Sequence, residues 1–155
     1  MLICIDLSAL YFAIRDLSVT INYELLLKQL RKDFGDSCSV HAFTIANSKN
    51  VSQSKFLAKL QQLGVNLHVY PQTQNPNFTA EICTWLALSP VKSAIVISND
   101  QAFIRPFEIL EGAGKDLTLS FFSEKLHGQW ISRVIANSVK FYDLSADGIK
   151  ESISE

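Results

Sequence analysis

Three observations predict an α/β fold: a three-layer α/β/α sandwich around a mostly parallel sheet of five or six strands. Short apolar, β-branched runs without alternation recur along the chain, as in strands buried on both faces. Stretches with apolar residues at helical spacing separate them. Finally, 48% of the 155 residues are hydrophobic and 19% charged, enough apolar material for a dense core. No internal repeat, linker or low-complexity segment interrupts the chain, so one domain is expected over 1–144, followed by a polar tail at 145–155.

The first strand is Leu2 to Ile5, closed by Asp6. Ser8 to Arg15 is helical, with Leu10, Ile14 and Leu17 on one side. Asn22 is placed to cap a second helix carrying Leu26, Leu27, Leu30 and Phe34, which Gly35 ends. Ser39 to Ile45 is a strand, followed by a polar loop at 47–50. Ser52 to Leu63 then forms an amphipathic helix stopped by Gly64. Val65 to Tyr70 is a third strand, and Thr79 to Leu88 a helix with Ile82, Trp85 and Leu86 inward.

The stretch Ser93 to Phe103 is the most informative. Ala94 to Ile97 is a buried strand, Ser98-Asn99-Asp100 can cap a helix, and Phe103, Phe107 and Leu110 follow at helical spacing. Asp116 to Phe122 is a further strand. A helical region from Ser123, broken near Gly128, presents Trp130, Ile131, Val134 and Ile135 on its apolar side. A short last strand is expected at Val139 to Tyr142, and a frayed tail or a short helix after Asp143.

Two of these strands deliver an aspartate to the carboxyl edge of the sheet, where open α/β folds bind ligands: Asp6 and Asp100. N-capping alone also accounts for either position, since each precedes a helix. Familiar alternatives lack their residues. There is no G-x-G-x-x-G, P-loop, G-x-S-x-G or H-E-x-x-H. A D-x-S-x-S adhesion site fails because Leu10 replaces its second serine, and a D-x-D dehalogenase motif fails because Ser8 replaces its second aspartate. His41 and His68 fall within strands, where a hydrogen-bonded structural role is expected, and His127 lies in a loop or helix. Cys4, Cys38 and Cys83 lack paired spacing and are expected to be free thiols of a reducing cytosol.

Ile5-Asp6-Leu7-Ser8 on the first strand and Val96-Ile97-Ser98-Asn99-Asp100-Gln101-Ala102-Phe103 on the fourth resemble the NYN family of PIN-like domains. Phe56 to Val65 and Glu111 to Lys115 fit the same order of elements, and the resemblance covers nearly all of Leu2 to Leu144. It implies a ribonuclease in which clustered carboxylates hold Mg²⁺ or Mn²⁺, hard cations that need several anionic oxygen ligands to activate water. Asp6 and Asp100 match two of the family's acidic positions and are the expected catalytic and metal-binding residues. In the implied order their strands are neighbours, about 4.8 Å apart. Thr79 and Ala102 stand where the family has further aspartates, Asn99 and Gln101 flank Asp100 where it has glycines, and Ala9 replaces an asparagine. Glu81 is a candidate substitute ligand, two residues along the helix from Thr79, which turns it to another face. Its other explanation is a first-turn acid favoured by the helix dipole.

Net charge is −1, so RNA would have to be held by a local patch. Ser8 and Asn99 beside the acids, Arg105 one turn beyond, and Lys49, Lys55 and Lys59 are the candidate binding residues; a solvated face is the default explanation of the lysines. Tyr11, Phe12 and Phe78 are base-stacking candidates if exposed, though core packing is the default for a Phe in an apolar pattern. The expected setting is cytoplasmic, without a membrane span, and the expected partners are RNA, a protein partner or a second copy. Two functions compete: a metal-dependent endoribonuclease with an incomplete acidic site, and a degenerate module that binds RNA or protein without cutting.

Overall fold

The computed structural model describes residues 1–46, 50–72, 77–145 and 149–152. Six strands form one parallel sheet in the order β4-β3-β1-β5-β6-β7: β1 Leu2–Asp6, β3 Ser39–Ala46, β4 Asn66–Pro71, β5 Ser93–Ile97, β6 Asp116–Phe121 and β7 Lys140–Asp143. The chain runs outward from β1 through β3 to β4, then returns to lay β5 on the other side of β1. This is the expected order. It creates a switch point between β1 and β5, where loops leave in opposite directions and a crevice opens at the carboxyl edge.

The helices are α1 Leu7–Leu17, α2 Tyr23–Phe34, α3 Val51–Gln62, α4 Phe78–Leu88, α5 Ile104–Gly112 and α6 Gly128–Ile135. Right-handed crossovers put the first three on one face and the last three on the other. Successive strand residues therefore enter different cores. Ile3, Ile5, Ile95 and Ile97 meet Leu10, Leu26, Leu30 and Leu60 on the first face. Leu2, Cys4, Ala94 and Val96 meet Ile82, Leu86, Phe107 and Trp130 on the second. Two covered faces are why these strands carry no apolar/polar alternation. Burial in the second core pushes the Cys4 thiol up to about 12, so it packs as a small apolar group.

Three helices are capped by asparagine. Asn22, Asn50 and Asn77 accept from the amides of Leu25, Gln53 and Ala80 at 3.0–3.1 Å. Gly64, with φ +89°, closes the α3–β4 turn in the left-handed region, where a Cβ would also come within 3.3 Å of Arg31.

Two differences from the sequence reading bear on the fold. Val19–Ile21 (β2) and Lys150–Ser152 (β8) pair antiparallel, away from the main sheet. The stretch at 149–152 is thus anchored where fraying or a helix was expected. Ile149 is fully buried, its carbonyl accepts from the Asn22 amide at 2.9 Å, and the Asn22 side chain reaches Glu151 at 3.2 Å. The second difference concerns helix faces. Trp130 is buried, but Ile131 and Ile135 are 40% and 76% exposed, because of these three only Trp130 reaches the second core, against Phe107. No described helix is long and apolar enough to cross a membrane.

Candidate nucleic-acid site at the switch point

Pairing of β1 with β5 ends at Ile5 and Ile97, which brings Asp6 alongside Ser98. Asp6 is 5% exposed: Oδ1 accepts from the Ala9 amide at 3.1 Å, capping α1, Oδ2 accepts from the Ser98 hydroxyl at 3.0 Å, and the carboxylate also accepts from the Ser8 amide. Ser98 Oγ in turn accepts from the Asp100 amide at 3.2 Å. Asp100, exposed at the end of the β5 turn, repeats the pattern. Its Oδ1 accepts from Ala102 N at 3.0 Å and its Oδ2 from the buried Thr79 hydroxyl at 2.9 Å. Its carbonyl accepts from the Trp130 indole N–H at 3.0 Å, which ties the turn to α6.

Burial pushes the Asp6 carboxyl above the usual carboxylate range. The nearby Asp100 charge adds to this, while the Ala9 amide and the Ser98 hydroxyl oppose it. Each aspartate is thus a cap and also half of a like-charged pair. Capping does not require that charge, since asparagine performs the same task on α2, α3 and α4.

The other candidate residues are distributed around this pair. Ser8 is half-buried in the first turn of α1. Asn99 donates through Nδ2 to the Lys125 carbonyl at 2.9 Å, joining the β5 turn to the turn after β6. Arg105 is exposed in the first turn of α5, and Lys55 is exposed on α3. Lys59 lines a separate cavity with Tyr23, Phe56 and Glu151. Lys49 lies outside the described residues. Glu81 accepts from the Tyr70 hydroxyl at 3.3 Å, and among the described residues no three His, Cys, Asp or Glu side chains gather as a metal-binding group.

His41 and His68 form a bonded pair on the second face. Their Nδ1 and Nε2 atoms are 2.9 Å apart, Ser39 Oγ lies 2.8 Å from His41 Nε2, and Trp85 packs on both rings. The expected structural role is what the geometry provides. Trp85, expected inward, is 36% exposed as the outer wall of this cluster.

The model of the NYN domain matches residues 1–144. The chain belongs to the NYN domain family. It is accordingly a member of the PIN-like nuclease superfamily, whose NYN nucleases generally depend on divalent metal. The NYN domain also shares its fold with a crystal structure of a protein of unknown function from Vibrio parahaemolyticus. The TM-score is 0.76 at 16% identity, over 96% of this chain and 94% of that one. Likeness at that identity shows the fold alone. No curated protein matches the chain.

Sequence reasoning located Asp6, Asp100 and the departure at Thr79, but not the bonds among them. Ser98 could be read only as a cap and Trp130 only as core. That both support the aspartate pair depends on strand register and on α6, which no local motif encodes.

Proposed function

We propose that this NYN domain is an RNA-binding module that has kept the nuclease edge of its superfamily without the cleavage step. One observation carries this: the Thr79 hydroxyl donates to Asp100 Oδ2 at 2.9 Å, at the position where the sequence resemblance places another aspartate. A hydroxyl there supplies a proton donor to the carboxylate pair, where a metal grip would need another anion.

The donor set does not fit the family's cation. Mg²⁺ takes one or two direct carboxylates, with waters and substrate phosphates completing a near-octahedral shell, and each direct carboxylate must turn an oxygen toward it. Here two carboxylates remain, each with both oxygens already accepting N–H or O–H bonds, and the second aspartate of the fourth-strand motif is Ala102. No step is therefore routed through a metal. What the edge supplies instead is a set of polar groups tied together by hydrogen bonds. Backbone amides of α1 and of the Asp100 turn are held by the aspartates, and Asn99 joins this turn to the one after β6.

The test is fluorescence anisotropy with a labelled single-stranded RNA in EDTA, beside a cleavage assay in Mn²⁺. Binding in EDTA with intact RNA in Mn²⁺ is the expected result, and cleavage abolished by Asp100→Asn would overturn the reading. Installing acids by Thr79→Asp with Ala102→Asp should create Mn²⁺-dependent cleavage if the missing anions are what the edge lacks.

A further inference from the structure

A cleft of about 420 Å³ opens beside the aspartate pair, between α1 and the turn that follows β6. That volume lies within the range of small-ligand sites. One wall is α1, where Phe12 and Ala13 follow Ala9, whose amide caps onto Asp6. The other is Lys125 and His127, with Asn99 at the junction. The cleft thus adjoins the aspartate pair through Ala9 and Asn99, while neither Asp6 nor Asp100 lines it.

We infer that this cleft is a nucleobase subsite in which one unpaired base of single-stranded RNA stacks on Phe12. The inference rests on the RNA-binding reading above and specifies how the RNA is held. Phe12 is 52% exposed and its neighbour Tyr11 57%. These are the aromatics that an apolar sequence pattern would send into the core. Instead Leu7, Leu10 and Ala13 fill the buried face of α1, and the two rings stand edge to face, 5.5 Å apart, on its outer side. The Arg15 guanidinium lies 5.0 Å from the Phe12 centroid and 6.0 Å from that of Tyr11. An aromatic face and a guanidinium plane at the rim of a polar cleft are the groups that hold splayed-out bases, because every base offers a π-face.

The charges in the cleft define the mode of binding further. Asp16 is 3.6 Å from Lys125, and Glu124 is paired with Lys150, so both acids are already neutralised by lysines. Little net positive charge remains for phosphates, and the whole chain carries −1. Stacking, not counterion release, must then dominate, and the salt dependence should be shallow. A duplex, whose bases are already paired and stacked, offers nothing for Phe12 to hold.

The experiment is anisotropy of a fluorescein-labelled A₁₂ RNA in EDTA, with a labelled RNA duplex beside it, on the full chain and its variants. Phe12→Ala should weaken single-strand binding about 10-fold while Phe12→Trp retains it, and the duplex should bind at least 10-fold more weakly. Exposure of Phe12 makes both variants compatible with folding, which circular dichroism checks. Unchanged binding in Phe12→Ala, or equal affinity for the duplex, overturns the subsite and leaves the RNA-binding reading standing. No binding of either RNA by the unaltered protein overturns both the subsite and the RNA-binding reading.

Discussion

Replacing Asp6 by asparagine tests whether the charge at the switch point is structural or is kept at the expense of stability. Asparagine preserves the geometry. Its Oδ1 can still accept from Ala9 N, and its Nδ2 can donate to Ser98 Oγ in place of the 3.0 Å bond. The buried Ser98 hydroxyl proton then loses its acceptor, a loss set against the relief of charge. Asparagine and aspartate are also near-equal N-caps. What changes is the charge, held at 5% exposure beside Asp100. The favourable interaction of that charge with the α1 dipole is lost, but the burial penalty and the repulsion go with it. The expected net gain is about 1 kcal/mol at pH 7.5, or roughly 2–4 °C in Tm for a domain of this size.

The sign with pH follows from the raised carboxyl. The folded state protonates Asp6 more readily than the unfolded chain does, so the penalty is complete above the folded-state pKa. It vanishes as pH falls through that value toward the unfolded 3.8. The advantage of Asp6→Asn should thus be full at pH 7.5 and shrink toward pH 4. Urea denaturation of both proteins across that range measures it. An Asp6→Asn protein less stable than the parent at pH 7.5 would refute the reasoning, because the carboxylate charge would then be a net structural contributor.

Acidification should destabilise the protein through a different pair. Burial lowers both His41 and His68, and each ring's neutral state supports the 2.9 Å bond between them, so stability is full above about pH 6.5 and falls as pH drops through the lowered values. A His68→Gln variant should flatten that slope in a pH series of denaturation midpoints. Ile149→Ala removes a fully buried side chain and should cost about 2–5 kcal/mol, measured by urea unfolding. Thr79→Val removes the donor to Asp100 at nearly constant volume and should cost about 1 kcal/mol by the same method.

Much of the fold was legible because the strands at the centre of the sheet are buried twice. Ile3, Ile5, Ile95 and Ile97 show in sequence as unbroken apolar runs, and their helical connections leave few topologies open. The aspartates were legible because each ends such a run. What lay out of reach was decided by register and by which side of a helix meets the core. Nothing in Val19–Ile21 or Lys150–Ser152 signals pairing across some 130 residues, since each strand has three residues and little pattern. On α1 nearly every residue from Leu7 to Ile14 is apolar, so the sequence could not say that Tyr11 and Phe12 face outward. The histidine pair has the same origin: only the β3–β4 register brings His41 and His68 into bonding range. At the site, Thr79 was visible as a departure from the family pattern. That its hydroxyl turns to Asp100 required both elements in place.

The small β2–β8 ribbon has a consequence for how the molecule is made. All strands of the main sheet precede Ile149 in the chain, so its place in the first core is filled only when the segment after β7 folds back onto β2. Asn22 then does two jobs at once, capping α2 from within and receiving the late strand at 2.9 Å. The ribbon works as a latch thrown from the far end of the domain. Without it an apolar seat in the first core is open to water and to other chains, the kind of surface on which aggregation competes with folding.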